Sequence, residues 1–146
     1  MKLKLLNKNQ TSFQRQVTLD SSSAKRLLLI EDNDVNRLLM SEYLSYCKYD
    51  VRSLAQGSDF FATMEGFQPD LILLDLKLPD IDGYSLLSKI KSTPNWKKIP
   101  IIVVSAFAFA VDQERALKLG ASRYFVKPVN LNHLLQAIEE ELSISL

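Results

Sequence analysis

Five short apolar runs recur along this chain, and each is followed by a segment in which apolar residues have helical spacing. A run without apolar–polar alternation is typical of a strand that is buried on both faces of its sheet. Because a helix follows each strand, the strands are expected to lie parallel, with helices covering both faces. In chain order the predicted strands are residues 26–30, 49–54, 71–74, 101–104 and 124–126.

The predicted helices follow these strands. The first starts at an N-cap, Asp34, and is indicated by apolar residues at helical spacing, namely Val35, Leu38, Leu39, Tyr43 and Leu44. The second helix is predicted over residues 58–64 with an end near Gly66, and the third over residues 84–91. The fourth ends at a left-handed cap, Gly120, and the fifth starts at a cap, Asn130. Five such units with right-handed crossovers predict an α/β fold, a doubly wound five-stranded parallel sheet of order 2-1-3-4-5 that is flavodoxin-like.

The length suits one compact domain, predicted at residues 25–146, behind a basic polar arm at residues 1–24. Six of the 18 Lys and Arg residues lie in the first 26 positions, which leaves twelve basic and sixteen acidic residues for the rest. A basic arm of this kind is more often a solvated tail than a nucleic-acid contact, so no direct DNA binding is expected. The single cysteine, Cys47, is expected to be inert and suits a cytoplasmic protein, and no run has the length of a membrane helix.

Polar residues stand where the predicted strands end. Glu31 and Asp32 follow the first strand, Asp75 the third, Ser105 the fourth and Lys127 the fifth. In a doubly wound sheet these positions meet in one crevice at the carboxyl ends of the strands. Taken singly, each residue has an ordinary structural explanation as a helix cap, a loop residue or a solvated side chain. Their common placement at strand ends indicates a functional site.

The residue types of this set suit phosphoryl transfer with a divalent cation. Three neighbouring carboxylates repel one another, and a set of oxygen ligands favours Mg²⁺. A carboxylate such as Asp75 can accept a phosphoryl group as an acyl phosphate. The Lys127 ammonium and the Ser105 hydroxyl would then compensate the added charge.

The same residues resemble the receiver domains of two-component response regulators. The resemblance lies in Glu31-Asp32, in Asp75-x-x-x-Pro79-x-x-x-Gly83, in Ser105-Ala106 and in Lys127-Pro128, and it covers roughly residues 26–142. The separations also fit, with 30 residues from Asp75 to Ser105 and 22 from Ser105 to Lys127. Glu31-Asp32-Asn33 with Asn36 is similar to receivers of hybrid kinases and phosphorelays.

The resemblance implies a nucleophile and a metal site. Asp75 would take a phosphoryl group from a histidine kinase or phosphotransfer protein. Asp32 and Asp75 would bind Mg²⁺ directly, Glu31 through water, and the Lys77 backbone carbonyl would be a further ligand. Such a chain is not an enzyme beyond catalysing its own phosphorylation and dephosphorylation.

The resemblance also implies a switch. Lys127 would pair with the phosphoryl oxygens, Ser105 would move inward to bond the phosphate, and Tyr124 would follow into the vacated space. The Lys127-Pro128 bond is expected to be cis. Downstream partners would bind the face formed by the fourth helix, the fifth strand and the fifth helix.

Two departures and an apolar segment stand out beside this pattern. Lys77 and Phe107, two residues after Asp75 and Ser105, occupy positions that tune phosphorylation and dephosphorylation rates in the family. The segment 107–111 is apolar for a loop that leads out of the site, so Phe109 is expected to stay partly exposed. A homodimer through this face is the simplest partner, with internal packing of the rings as the alternative.

Other functions on the same fold remain as alternatives. An electron carrier like flavodoxin would need a phosphate loop after the first strand, where Glu31-Asp32-Asn33-Asp34 would repel a phosphate. A P-loop G-x-x-x-x-G-K-[ST] is absent from the sequence. An aspartyl phosphatase would have an acid two residues past the nucleophile, at the position of Lys77. A degenerate receiver that serves only as a scaffold is a further alternative. His133 is expected to be a surface residue, and Trp96 is expected to anchor a loop.

Overall fold

The structure, a computed structural model, describes residues 24–145. The predicted arm at residues 1–24 therefore lies almost wholly outside the described residues. Within them, five parallel strands form one sheet of order β2-β1-β3-β4-β5, which confirms the predicted topology. The strands are β1 (Arg26–Ile30), β2 (Asp50–Leu54), β3 (Leu71–Leu74), β4 (Ile101–Ser105) and β5 (Arg123–Val126).

Five helices alternate with these strands. They are α1 (Asp34–Tyr46), α2 (Phe60–Phe67), α3 (Gly83–Ser92), α4 (Ala110–Lys118) and α5 (Leu131–Ser145). A short 3₁₀ turn, Gly57–Asp59, precedes α2. No helix in the described part of the chain is long and apolar enough to span a membrane.

Successive strand residues face opposite sides of the sheet and build two cores. One side packs against α2, α3 and α4, with Phe60, Leu86 and Ala116 among its buried residues. The other packs against α1 and α5, with Leu44 and Ile138 among its buried residues. Strands covered on both faces must be apolar throughout, which explains the unbroken runs in the sequence.

Several ends of the helices differ from prediction. The N-cap of α1 is Asn33, whose Oδ1 accepts from the Asn36 amide at 2.9 Å, and not Asp34, which is the first helical residue. α2 starts at Phe60 and continues through Gly66, and its left-handed C-cap is Gln68 with φ of 53°. The predicted caps Gly120, with φ of 112°, and Asn130, which accepts from the His133 amide at 3.0 Å, are confirmed.

The apolar residues that indicate α1 do not all face the core. Leu44 is buried, as is Met40, whereas Val35, Leu38 and Leu39 are 66%, 62% and 54% exposed. The helix is therefore correctly predicted, but only a narrow stripe of it packs against the sheet. These three exposed residues are called the α1 apolar face below.

The smaller expectations hold where the structure tests them. The Lys127-Pro128 peptide bond is cis. Cys47 is half-buried and His133 is exposed. Trp96 packs edge-on against Phe60 with ring centroids 5.5 Å apart, so it anchors the loop before β4.

Replacement of two glycines by alanine should have opposite effects on stability. A Cβ at Gly83 would overlap the backbone of Leu76, whose carbonyl accepts from the Gly83 amide at 3.1 Å. Gly83→Ala should therefore lower the free energy of unfolding by about 1–3 kcal/mol, the usual cost of overpacking. At Gly66, inside α2, an added Cβ would meet no atom within 4 Å, so Gly66→Ala should raise it by about 0.5–1 kcal/mol. Urea unfolding of both variants checks this, and a neutral Gly83→Ala would contradict the tight approach.

Candidate functional site

Three carboxylates meet at the carboxyl ends of β1 and β3. Glu31, Asp32 and Asp75 each offer a carboxylate oxygen, and these oxygens lie within 4.8 Å of one another. Glu31 and Asp75 are buried and Asp32 is exposed. The adjacency of β1 and β3 in the sheet produces this cluster, since the strands end side by side and the Asp75 amide donates to the Ile30 carbonyl at 3.0 Å.

Lys127 compensates the two buried carboxylates. Its Nζ lies 2.7 Å from Glu31 Oε1 and 2.8 Å from Asp75 Oδ2, and its side chain is 19% exposed. Burial would lower the pKa of the Lys127 ammonium, but its hydrogen bonds to Asp75 and Glu31 outweigh burial and raise the pKa above the ordinary value. Lys127 therefore stays charged at neutral pH.

The Glu31 carboxyl lies in a mixed environment. Burial raises its pKa, while the hydrogen bonds from Lys127 and from the Asn33 amide partly offset the rise. The negative charge of Asp75 adds to the rise. The cost of burying the Glu31 carboxylate is thus only partly compensated by these hydrogen bonds.

The cluster fits a hard divalent cation. All three side chains offer oxygen, which Mg²⁺ prefers, and the exposed Asp32 leaves the cluster open to solvent. Lys77, the further predicted ligand, donates its amide to Asp75 Oδ1 at 3.0 Å and has an exposed side chain. Its carbonyl as a metal ligand remains a prediction.

Ser105 and Tyr124 meet through the loop that follows β4. Ser105 is buried at the end of β4, and its Oγ accepts from the Phe107 amide at 3.2 Å. The Tyr124 hydroxyl donates to the Phe107 carbonyl at 2.8 Å. Both predicted switch residues are thus bonded to one loop residue.

A cluster on α3 and α4 was not predicted. The Tyr84 ring lies parallel to that of Phe107, with centroids 6.4 Å apart, and the Arg115 guanidinium carbon lies 3.9 Å from the Tyr84 ring centroid. The Tyr84 hydroxyl lies 3.3 Å from Asp112 Oδ1. Burial, together with the Asp112 charge, raises the pKa of Tyr84 to about 12. A tyrosine in the first turn of a helix gives no sequence signal for these contacts.

Asp80 joins two loops at the same edge of the sheet. Its carboxylate accepts from the Gly57 amide at 2.9 Å and the Ser58 amide at 2.7 Å. The Ser58 side chain and these amides hold the pKa of Asp80 below its ordinary value. The loop after β3 is thereby fastened to the loop after β2.

An apolar cavity of about 370 Å³ adjoins the site. Leu39 of the α1 apolar face, Lys127 and Pro128 are among its lining residues. The exposed face of α1 therefore continues to the edge of the carboxylate cluster.

Sequence comparison agrees with the fold. A family model described as the response regulator receiver domain matches residues 27–139. The chain therefore belongs to the receiver-domain family of two-component response regulators. Receiver domains generally bind Mg²⁺ through acidic residues, and Glu31, Asp32 and Asp75 form such a cluster here.

Curated relatives include both long and short proteins. The transcriptional regulatory protein GltR of Pseudomonas aeruginosa is 35% identical over 119 residues, which are 82% of this chain and 49% of GltR. The polar-differentiation response regulator DivK of Brucella anthropi is 29% identical over 118 residues, 81% of this chain and 96% of DivK. The chain thus spans about half the length of GltR and nearly all of DivK.

Solved receiver structures share the fold. A CheY-like receiver domain protein from Methanospirillum hungatei JF-1 aligns with a TM-score of 0.77 and 30% identity, covering 84% of this chain and 96% of that one. The BeF3-activated receiver domain of Klebsiella pneumoniae RstA aligns with a TM-score of 0.76 and 26% identity, covering 81% and 98%.

Removal of the Lys127 ammonium should destabilise the protein in a pH-dependent way. Lys127→Met leaves two buried carboxylates uncompensated, so the free energy of unfolding at pH 7 should fall by about 3–5 kcal/mol. The deficit should shrink as pH falls through the raised pKa of Glu31, because a protonated Glu31 needs no ammonium. Urea unfolding from pH 7 to pH 4 measures both effects.

A matched control is Arg123→Met. Arg123 pairs at 2.8 Å with Glu140, whose side chain is 48% exposed, and at 2.9 Å with Glu141, whose side chain is 13% exposed. Because the Arg123 side chain is itself 32% exposed, its loss should cost less than that of Lys127, about 1 kcal/mol. Equal losses in the two variants, or a Lys127→Met deficit that grows in acid, would contradict the compensation described here.

Proposed function

We propose that this receiver domain accepts a phosphoryl group on Asp75 from a histidine kinase or phosphotransfer protein and switches the binding of a downstream partner. The observation that supports this most directly is the position of the Asp75 carboxylate, which is buried between the Lys127 ammonium and two further carboxylates. Asp75 Oδ2 is paired with Lys127, and Oδ1 accepts the Lys77 amide. A carboxylate in this setting has donors ready for the charge that a phosphoryl group adds.

The proposed transfer is a single displacement at phosphorus. An Asp75 oxygen forms a bond to phosphorus as the phosphorus–nitrogen bond of the phosphohistidine breaks. The imidazole leaves with the bonding electron pair, and the product on this chain is an acyl phosphate. Mg²⁺, held by Asp32 and Asp75, by Glu31 through water and by the Lys77 carbonyl, would supply positive charge at the transferred group.

Residues of the chain supply the remaining charge compensation. The Lys127 ammonium lies 2.8 Å from Asp75, so it can pair with phosphoryl oxygens after transfer. Ser105, on the strand next to β3, can turn its hydroxyl from the Phe107 amide towards the phosphoryl group. Tyr124, bonded to the same loop, is the residue proposed to respond.

A macromolecular donor needs a surface beside Asp75. The α1 apolar face is 54–66% exposed and continues into the cavity that Lys127 borders. Exposed contiguous apolar surface is typical of protein contact sites. We assign this side of the domain to the phosphodonor.

The downstream partner is assigned to a second surface, which includes the start of α4. Phe109 is 76% exposed and Val111 66% exposed at the start of α4, as expected from the apolar segment. The face formed by α4, β5 and α5 begins at these residues. A second copy of the chain is the simplest partner for it, because two-fold contacts are the commonest kind.

Asp75→Asn should abolish phosphorylation. The amide is a poor nucleophile, so incubation with acetyl phosphate and Mg²⁺ should add the mass of one phosphoryl group to the wild type and none to the variant. Addition of EDTA should suppress labelling of the wild type, and so should Asp32→Ala. Intact-mass spectrometry reads all four samples.

Asp80→Asn is the matched control for this experiment. Asp80 lies further along the same loop, but its carboxylate accepts from Gly57 and Ser58 outside the cluster. Its replacement should leave labelling intact. Labelling of Asp75→Asn at the wild-type level would show that another residue is the acceptor, and an unlabelled wild type would favour a scaffold without phosphorylation.

Phe109→Ser should weaken self-association of the phosphorylated protein. Removal of an exposed ring from a two-fold contact acts twice, once in each subunit, so the dimer should dissociate at a markedly higher protein concentration than the wild type does. Sedimentation before and after phosphorylation measures the effect. Tyr46→Ser is the control, since Tyr46 is similarly exposed but lies at the end of α1. A wild type that is monomeric in both states would rule out the homodimer.

A further inference from the structure

Arg37 on α1 reaches back to the main chain of the loop between β1 and α1. Its Nη1 donates to the Glu31 carbonyl at 2.9 Å and lies 3.4 Å from the Asp32 carbonyl. Its Nη2 lies 2.6 Å from Asp34 Oδ1. The side chain is only 21% exposed, whereas that of Asp34 is 87% exposed. The guanidinium is thus directed at the loop backbone rather than at solvent.

This loop bears two of the three clustered carboxylates. The direction of the Asp32 side chain depends on the peptide planes on either side of it, because the side chain is short. The loop is also held by the Glu31 amide on the Leu54 carbonyl at 3.0 Å, by the Asn33 amide on Glu31 Oε2 at 3.0 Å and by the Asn33 cap. Arg37 is the side chain that contacts the carbonyls of both Glu31 and Asp32.

One guanidinium nitrogen, Nη1, lies near both successive carbonyls, while Nη2 is bonded to Asp34. Because the guanidinium is rigid and planar, Nη1 is held in place and restrains both peptide planes together. A lysine ammonium has the same charge but a single nitrogen on a flexible stem. Groups that orient metal ligands in this way commonly alter metal affinity about 10–100-fold when they are removed.

We propose that Arg37 is a positioning residue for the divalent-cation site, holding the Glu31 and Asp32 peptides so that the Asp32 carboxylate faces Glu31 and Asp75. Arg37 itself touches neither the cation nor the phosphoryl group. The inference rests on the proposed function, which includes a cation at this cluster. It differs from a role in helix stability alone, for which the exposed pair with Asp34 would suffice.

The test is direct binding of Mn²⁺, followed by electron paramagnetic resonance of the free ion, to the full chain without a phosphodonor. Arg37→Met should weaken binding by roughly tenfold. Arg37→Lys keeps the charge and should weaken Mn²⁺ binding several-fold. It is also the milder change, which can be measured should the methionine variant fail to fold. Asp34→Asn removes the surface ion pair but not the carbonyl contacts, so it should bind as the wild type does. Ile90→Val, a core change in α3, controls for loss of stability.

The outcomes separate this inference from the proposed function. Wild-type Mn²⁺ affinity in Arg37→Lys would overturn the positioning role, and so would an equal loss of affinity in Asp34→Asn or Ile90→Val. The proposed cation site would still stand in these cases, provided that Asp32→Ala abolished Mn²⁺ binding. A wild-type chain that binds no Mn²⁺ and gains no phosphoryl group would overturn both.

Discussion

The ion pairs of Lys127 with Glu31 and Asp75 are the interaction on which the site depends. Two carboxylates buried at the end of a parallel sheet would be costly without a compensating charge, and the ammonium lies within 2.8 Å of both. The ammonium comes from the far side of β4, since β5 is the edge strand. Neighbouring strands are about 4.8 Å apart, so a side chain from β5 must cross roughly 10 Å to reach β3. The residue it passes at the end of β4 is Ser105, which is small enough to leave room.

The winding of the sheet creates this arrangement. The chain places β1 next to β3, so the acids that follow these strands become neighbours although 43 positions separate Asp32 from Asp75. The ladder between β4 and β5 continues past the last strand residues, with the Lys127 amide donating to the Ser105 carbonyl at 2.9 Å. The backbone that orients the Lys127 side chain is therefore fixed by the same pairing that positions Ser105. The packing on both faces of the sheet and the placement of the polar residues at its carboxyl end thus depend on the same strand register.

The sequence predicts the sheet and the strand-end residues because both follow from rules of pattern. Unbroken apolar runs identify buried parallel strands, and the winding brings Glu31, Asp75 and Lys127 together. Periodicity also identifies α1, but not which part of its apolar stripe meets the sheet, so the exposure of Leu38 could not be predicted. Asn33 and Asp34 are both favourable N-cap residues, so residue type alone does not predict which of the two caps α1. The contacts of Arg37 with the loop carbonyls could not be predicted either, because an arginine on an amphipathic helix is solvated by default.

In the proposed switch, the contacts of Phe107 contribute to the free-energy difference that phosphorylation must overcome. The Phe107 amide donates to Ser105 Oγ, its carbonyl accepts from Tyr124, and its ring lies parallel to that of Tyr84. A Ser105 hydroxyl that turns to the phosphoryl group gives up the first of these bonds, worth about 1 kcal/mol, and loosens the loop that holds the others. A shift in the population of the switched state from about 1% to about 99% requires about 5.5 kcal/mol in favour of that state. The phosphoryl contacts with Lys127 and Ser105 must supply that difference, in which the Phe107 contacts are already counted as part of the preference for the resting state. In a switch that breaks the contact between Phe107 and Tyr84, a smaller residue at position 107 raises the population of the switched state before phosphorylation and leaves the contribution of the phosphoryl group unchanged.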